Sequence, residues 1–97
     1  MTVQNDQPPP QVVVQLPTAL RALFPDAPPR VPLRAATLSE AMVALDQRWP
    51  GIRDRLCDSR PALRRHINAF VDGERVDLTR RLQEGDEVIL LTAISGG

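Results

Sequence analysis

The segment TLSEAMVALDQRWPG, residues 37–51, predicts the main helix of the fold. Thr37, followed three residues later by Glu40, has the spacing of a capping box, in which two side chains satisfy free backbone N–H groups at the start of a helix. Apolar residues then recur at intervals of three or four, which places them on one helix face. They are Leu38, Met42, Leu45 and Trp49. Pro50 and Gly51 end the pattern, so the segment predicts one amphipathic helix.

Two strands are predicted before this helix. QVVVQL, residues 11–16, is short and rich in β-branched residues, and alternate residues would share a face. RVPLRA, residues 30–35, contains Pro32, which lacks the N–H that a central strand needs. We therefore expect the second strand to lie at a sheet edge or a bulge. TALRALF, residues 18–24, predicts a helical turn between the strands.

A short helix and a hairpin are predicted after the main helix. IRDRLCD, residues 52–58, is a candidate for a brief second helical piece that buries Ile52 and Leu56. RHINAFVDGERVDL, residues 65–78, contains Asp72 followed by Gly73, a dipeptide typical of a tight hairpin turn. The sequence therefore predicts two antiparallel strands around this dipeptide.

The last strand is predicted within LQEGDEVILL, residues 82–91, after a turn at residues 84–86. Because side chains alternate across a strand, Val88 and Leu90 would point into the core while their neighbours Ile89 and Leu91 would point out. The outward-facing side of the hairpin strand would add Phe70. Covering by another segment, isolated surface residues and a docking patch for a partner all remain open as interpretations of these outward apolar residues.

The order strand, strand, helix, strands predicts an α+β fold, a ubiquitin-like β-grasp roll. Its mixed sheet would have four to five strands, with one main helix packed on one face. We expect a flexible proline-rich leader over residues 1–10, the β-grasp domain over residues 11–93 and a flexible tail over residues 94–97 that ends in two glycines. The predicted core consists of Val12, Val14, Leu16, Leu38, Met42, Leu45, Trp49, Ile67, Val71, Leu82, Val88 and Leu90.

Composition excludes several classes of function. Twelve basic residues, all arginine, are balanced by twelve acids, so no basic footprint for nucleic acid or for an anionic membrane is present. No apolar run is long enough to span a membrane, and the first residues have neither a basic nor an apolar signal region, so a cytoplasmic location is expected. One cysteine, Cys57, and one histidine, His66, fall short of a zinc-ligand set, and no metal is expected.

The two final glycines, Gly96 and Gly97, follow the last predicted strand closely. Residues without a Cβ can extend through a narrow slot and bring a terminal carboxylate against a bound nucleotide. A carboxylate is a weak electrophile, so replacing one of its oxygens by sulfur first requires a mixed anhydride, most simply an acyl-adenylate formed from ATP. The tail therefore suggests a carboxylate that is itself the substrate of other enzymes.

LQEGDEVILLTAISGG, residues 82–97, resembles the C-terminal signature of the MoaD/ThiS sulfur carriers. LPTALR, TLSEAMVALDQRWPGIRDRL and INAFVDGERV are similar to the subgroup that delivers sulfur to activated O-phosphoserine in cysteine synthesis. The resemblance implies that Gly97 is adenylated and then converted to a thiocarboxylate, and that Gly96 lines the channel of the activating enzyme. It implies partner contacts at Phe70, Ile89, Leu91, Ile94 and Ser95.

The resemblance also implies which molecules surround the protein. The carrier would be no enzyme and would bind no cofactor itself, while ATP would be used by an adenylating partner. Its other partners would be a sulfur-accepting synthase, with a pyridoxal-phosphate-dependent cysteine synthase as the candidate, and a metalloprotease that trims or releases the tail. A molybdopterin synthase small subunit or a carrier for another sulfur-containing metabolite remains an alternative, although Arg75 weakens the molybdopterin assignment. A ubiquitin-like protein modifier and an interaction domain with an incidental diglycine are the alternatives from other classes.

Three further features have simpler structural interpretations. Cys57 is expected to be a semi-buried structural thiol, and His66 a surface histidine without a catalytic neighbour. The arginines of residues 53–65 suggest a solvated face, partly paired with Asp54 and Asp58, although contact with an acidic partner or a phosphate stays open. These arginines are Arg53, Arg55, Arg60, Arg64 and Arg65.

Overall fold

A computed structural model describes residues 8–92 of the chain. Its elements are β1 (Gln11–Gln15), α1 (Thr18–Leu23), β2 (Arg30–Arg34), α2 (Leu38–Arg48), α3 (Ile52–Leu56), β3 (Ile67–Val71), β4 (Glu74–Val76) and β5 (Glu87–Thr92). The strands form one sheet in the order β2-β1-β5-β3-β4, in which β1 and β5 are parallel and the other neighbours are antiparallel. The predicted α+β ubiquitin-like fold with a mixed sheet is confirmed.

The edge position predicted for the second strand is also correct. β2 pairs only with β1 within the described sheet, and Pro32 lies opposite Val13. Because an edge strand can leave one row of backbone groups without strand partners, a residue that lacks an N–H is tolerated there. β1 alternates as expected, with Val12 and Val14 buried and Val13 only partly buried.

The main helix, α2, begins at the predicted cap. Thr37 Oγ1 accepts a hydrogen bond from the Glu40 N–H at 3.2 Å. The Glu40 carboxylate reaches back to the Ala36 N–H, with an Oε1 to N distance of 2.9 Å, and thus satisfies the residue before the cap rather than Thr37 itself. Two backbone donors at the helix start are satisfied by side chains in this way, which fixes where α2 begins.

Trp49 is a correction to the predicted core. It is only partly buried, whereas Leu38, Met42 and Leu45 on the same helix face are fully buried. The reason is that α2 ends at Arg48, so Trp49 is the C-cap residue, at the rim of the packed face.

The hairpin between β3 and β4 turns at Asp72 and Gly73. Both residues have positive φ angles, 53° and 78°, the combination that a two-residue hairpin turn of the primed type requires. The turn sets the register, in which Val71 lies opposite Glu74 and Phe70 opposite Arg75.

The core lies between the sheet and the helices. Every predicted core residue except Trp49 is buried, and so are Ile52 and Leu56 of α3. The structure adds Leu20, Ala27, Val31, Leu33, Ala35, Ala41, Cys57, Ala69 and Leu78 to the buried set. In the part of the chain that the structure describes, no helix is long and apolar enough to cross a membrane.

Both ends of the described chain are tied to neighbouring strands. The Pro10 carbonyl accepts a hydrogen bond from the Ala35 N–H at 3.1 Å, and the Pro9 carbonyl accepts one from Arg34 Nη1 at 2.9 Å. At the other end, Thr92 is paired with Ile67 of β3. The rest of the predicted leader, residues 1–7, and the predicted tail lie outside the described residues.

Candidate functional site

The outward face of β5 carries the apolar residues that the sequence analysis singled out. Phe70 lies directly opposite Ile89 in the pairing of β3 with β5, and Leu91 lies two pairs further along, opposite Asn68. Side chains opposite each other on one sheet face are close enough to touch. Ile89 and Phe70 are half-buried, while Leu91 is 48% exposed, so the described residues do not cover this end of the strand. We call Phe70, Ile89 and Leu91 the sheet-face patch.

Charged and polar residues border the sheet-face patch on both sides. At the start of β5, the Glu87 carboxylate accepts hydrogen bonds from the Gln15 amide and the Arg30 guanidinium. The Gln15 hydrogen bond is the largest cause that lowers the pKa of Glu87 below its ordinary value. Desolvation opposes this shift, and the Arg30 charge adds a smaller lowering effect. Arg75 lies beside Phe70 on the opposite side. An apolar centre with a polar rim is the usual anatomy of a protein contact surface.

The predicted chemistry lies just beyond the last described strand. Gly96 and Gly97, the candidates for the reacting carboxyl group and its channel segment, lie outside the described residues, as do Ile94 and Ser95. The structure does place the point from which this segment continues. β5, the central strand, ends at Thr92, opposite Ile67, the first residue of β3.

A second surface adjoins this point on the helix side of the sheet. A cavity of about 530 Å³ is lined by Asp58, Arg60, Arg64, Arg65 and His66. Next to it lies a hollow of about 270 Å³ lined by Ala19, Leu20, Leu23, Arg55, His66, Ile67 and Thr92. His66 and Thr92 therefore connect the two cavities to the end of β5. We call Arg55, Arg60, Arg64, Arg65 and His66 the arginine-rich end.

The arginine-rich end is partly self-paired, as predicted. Arg60 Nη2 lies 2.6 Å from Asp58 Oδ2, and hydrogen bonds from Arg60 lower the pKa of Asp58 to about 2. Arg64 Nε donates to the Asp54 carbonyl oxygen at 2.7 Å. Among residues 8–92, the side chains of Arg55 and Arg65 form neither an ion pair nor a hydrogen bond. Two guanidinium groups therefore remain open for a partner at this end.

Within residues 8–92, neither Cys57 nor His66 makes a side-chain hydrogen bond to a neighbouring nucleophile, acid or base. Cys57 is 5% exposed, and burial raises the pKa of its thiol above the ordinary value, which disfavours the reactive thiolate. Cys57 is therefore buried more completely than the semi-buried structural thiol that the sequence predicts. His66 is exposed, as expected for a surface histidine. Residues 8–92 contain no group of three or more histidine, cysteine or acidic side chains that could hold a metal ion.

The helix α1 contributes to this region in a way that was not predicted from the sequence. Leu20 is buried, but Leu23, one turn further on, is 53% exposed and lines the hollow beside Thr92. The shortness of TALRALF could have predicted this exposure. In a helix of six residues, Leu20 is buried in the core while Leu23 is the last helical residue and lies at the surface. Arg55 was identified only as one member of a charge run, since its position beside β5 depends on the fold.

Comparisons with known proteins agree on one family. The sequence profile of the ThiS family matches residues 14–97. A chain of the BexX/CysO complex from Amycolatopsis orientalis has 32% identity and a TM-score of 0.78, over 89% of this chain and 99% of that chain. Mycobacterium tuberculosis CysO, an antigen, has 31% identity and a TM-score of 0.77, over 86% and 99%. SAMP1 from Haloferax volcanii has 27% identity and a TM-score of 0.75, over 90% and 99%. No curated protein sequence matches significantly.

Proposed function

We propose that this chain, which belongs to the ThiS family and is a sulfur carrier of the MoaD/ThiS type, carries its sulfur as a thiocarboxylate on Gly97. The observation that supports this most is the extent of the family match, which runs to residue 97 and includes the diglycine. The fold adds the position of β5, which leads to this segment from the centre of the sheet.

The proposed chemistry has two steps, adenylation of the carboxylate and displacement of AMP by sulfur. A carboxylate oxygen of Gly97 attacks the α-phosphorus of ATP, pyrophosphate leaves, and an acyl-adenylate forms. Sulfide then attacks the carbonyl carbon and displaces AMP, which leaves a thiocarboxylate. A persulfide would displace AMP in the same way but give an acyl disulfide, whose S–S bond a reductant then cleaves to the thiocarboxylate and a thiol. Every catalytic group belongs to the activating enzyme, so the carrier itself is a co-substrate.

The sheet-face patch is the proposed docking surface for the activating enzyme. Its three residues form a continuous apolar strip that ends beside Thr92, so an enzyme that covers the strip would have the reacting segment within reach. Contiguous exposed apolar area of this kind usually marks an interface. Ile94 and Ser95 would contact the entrance of the enzyme channel, and the two glycines would pass through its narrowest part.

The proposed destination of the sulfur is cysteine, through a pyridoxal-phosphate-dependent synthase. Its support is the resemblance of LPTALR, of the α2 to α3 segment and of INAFVDGERV to the cysteine-synthesis subgroup. The partner enzyme decides the destination, so the proposal is tested by offering the loaded carrier to that enzyme and measuring cysteine formation.

Intact-mass measurement tests the proposed chemistry. The protein is incubated with the adenylating enzyme of the same genome, ATP and sulfide, and we expect the mass increase of one oxygen replaced by one sulfur. Omitting sulfide should instead leave the acyl-adenylate. A chain that lacks Gly97 is the control and should gain neither mass. A folded wild-type protein that gains neither mass beside a competent activating enzyme would contradict the proposal.

A ubiquitin-like modifier is the second candidate, favoured by the likeness to SAMP1, a small archaeal modifier protein. Its chemistry shares the adenylate but ends in an amide bond to a lysine of another protein. The sequence contains no lysine, so the chain cannot build lysine-linked polymers of itself. ATP-dependent covalent conjugates in a cell extract, absent when Gly97 is deleted, would identify this activity.

A further inference from the structure

We propose that the arginine-rich end, together with the Leu23 hollow, docks an acidic segment of the sulfur-accepting enzyme that also carries an aliphatic side chain. The inference rests on the proposed function and deepens it, because it assigns the second partner a surface separate from the sheet-face patch. The acceptor would recognise the loaded carrier at the base of its reacting segment.

The position of this surface is the first argument. His66 lines both cavities, and its neighbour Ile67 is paired with Thr92, the last residue of β5. Thr92 lines the hollow on the helix side of the sheet, whereas Leu91 points out from the opposite face. The segment that carries the sulfur therefore leaves the fold between two chemically different surfaces.

Charge is the second argument. Residues 53–66 contain five arginines against two aspartates, although the formal charge of the whole chain is zero. Arg55 and Arg65 make no ion pair among the described residues, and both are exposed. A carboxylate-bearing partner would be attracted to this end and oriented by it, since complementary charge raises association rates and fixes register.

The apolar part of the surface favours an acidic protein segment over a free phosphate or a nucleic acid. Leu23 is 53% exposed and forms the hollow with Ala19 and the buried Leu20, directly beside Arg55. A free phosphate would bind the guanidinium groups but would leave the apolar side of the hollow exposed to water. A single-stranded nucleic acid would use phenylalanine, tyrosine or tryptophan as stacking surfaces, and the residues that line the two cavities include none of these three. An acidic protein segment with a leucine-like side chain fits both halves of the surface.

Successive use of one tail by two enzymes explains why two surfaces are present. The sheet-face patch is apolar and tolerates salt, whereas contact through the arginine-rich end weakens as salt screens exposed charges. The two partners can thus be distinguished by chemistry as well as by position. The KM of sulfur transfer should consequently rise with salt concentration, and the KM of activation should change much less.

Charge reversal at the two open arginines tests the assignment. Arg55→Glu with Arg65→Glu changes exposed side chains that make no described hydrogen bond, so the fold is expected to persist. Arg81→Glu is the matched control, because Arg81 is exposed and lies near the start of α2, beside Thr37. Thiocarboxylated forms of the wild type, the double variant, Arg81→Glu and Leu23→Ser are prepared by intein cleavage with sulfide, which needs no activating enzyme.

The measurement is the KM of each thiocarboxylated protein with the pyridoxal-phosphate-dependent cysteine synthase of the same genome. We expect the double variant to raise KM about tenfold or more with little change in kcat, and the wild-type KM to rise with salt. Leu23→Ser should raise KM as well, while Arg81→Glu should not. In the activation assay, the KM of the double variant should match that of Arg81→Glu.

Two failures can be told apart. If the wild-type thiocarboxylate donates no sulfur to the synthase, the proposed destination is wrong, and the inference falls with it. If wild-type transfer is efficient but the double variant has the KM of Arg81→Glu, the docking assignment alone is overturned. A double variant that is impaired in activation rather than in transfer would also overturn it.

Discussion

The two faces of β5 differ in what they contact although each carries two large aliphatic side chains. Val88 and Leu90 point inward and are 0% and 1% exposed, while Leu91 on the other face is 48% exposed and Ile89 is half-buried. All four are aliphatic residues of one strand. Among the described residues, the helices cover the inward face and leave Leu91 on the outward face exposed. The inward aliphatic side chains therefore stabilise the fold, while Leu91 is accessible for contact within this part of the chain.

The largest expected effect comes from shortening a side chain on the inward face. Leu90→Ala removes buried methyl groups and leaves a cavity, and we expect the free energy of unfolding to fall by about 2–5 kcal/mol. Leu91→Ala is the matched control on the outward face and should change it by less than about 0.5 kcal/mol. Equilibrium denaturation in urea measures both. Equal destabilisation by the two variants would show that the faces are not distinguished by burial.

The next effect concerns the helix that covers the inward face. Thr37→Ala removes the hydroxyl that accepts the Glu40 N–H, and the free energy of unfolding should fall by about 1 kcal/mol. Thr37→Ser keeps the acceptor and should recover most of this loss in the same denaturation experiment. A serine variant as unstable as the alanine variant would show that Thr37 acts through its methyl group rather than as a cap.

Local patterns in the sequence were sufficient to predict much of the difference between the inward and outward faces. The stripe of α2, the turn at Asp72 and Gly73 and the alternation of β5 each depend on neighbours in sequence, so all three could be predicted. The position of Trp49 could not, because its burial depends on where α2 ends against the rest of the core.

The two candidate surfaces could also be predicted only in part from the sequence. The outward direction of Phe70, Ile89 and Leu91 follows from parity within each strand, but the direct pairing of Phe70 with Ile89 depends on the register between strands. The arginine-rich end was visible as a charge run, yet its location beside Thr92 follows only from the pairing of β3 with β5. The roles of Gly96 and Gly97 stay predictions from the sequence.

A smaller change in stability, with a functional consequence, is expected on the outward face. Leu91→Asp should alter the free energy of unfolding by no more than about 0.5 kcal/mol, because the side chain is already half in water. It should nevertheless weaken docking of the activating enzyme by about 1 kcal/mol or more, since an uncompensated carboxylate would enter an apolar contact.

The KM of the carrier in ATP-dependent pyrophosphate release measures this docking. Val43→Asp is the matched control, because Val43 is 41% exposed on α2, away from the sheet. A carrier whose KM is unchanged by Leu91→Asp would remove the sheet-face patch from the activation step. Unfolding of the variant would show instead that Leu91 is part of the core.

The smallest effect is a shallow dependence of stability on pH from the polar rim of the outward face. The Gln15 hydrogen bond and the Arg30 charge lower the pKa of Glu87 in the folded state, so its contribution is complete above the ordinary glutamate pKa of 4.5. It is lost as pH falls below that value through the lowered pKa of the folded state. Glu87→Gln should therefore flatten the fall in unfolding free energy on acidification, whereas Asp26→Asn, at an exposed aspartate without a described partner, should not. Denaturation curves at a series of pH values give the slope of unfolding free energy against pH for each protein. Identical slopes in wild type and Glu87→Gln would mean that the pKa of this carboxyl group is the same in the folded and the unfolded chain, and that its contacts with Gln15 and Arg30 do not measurably stabilise the fold.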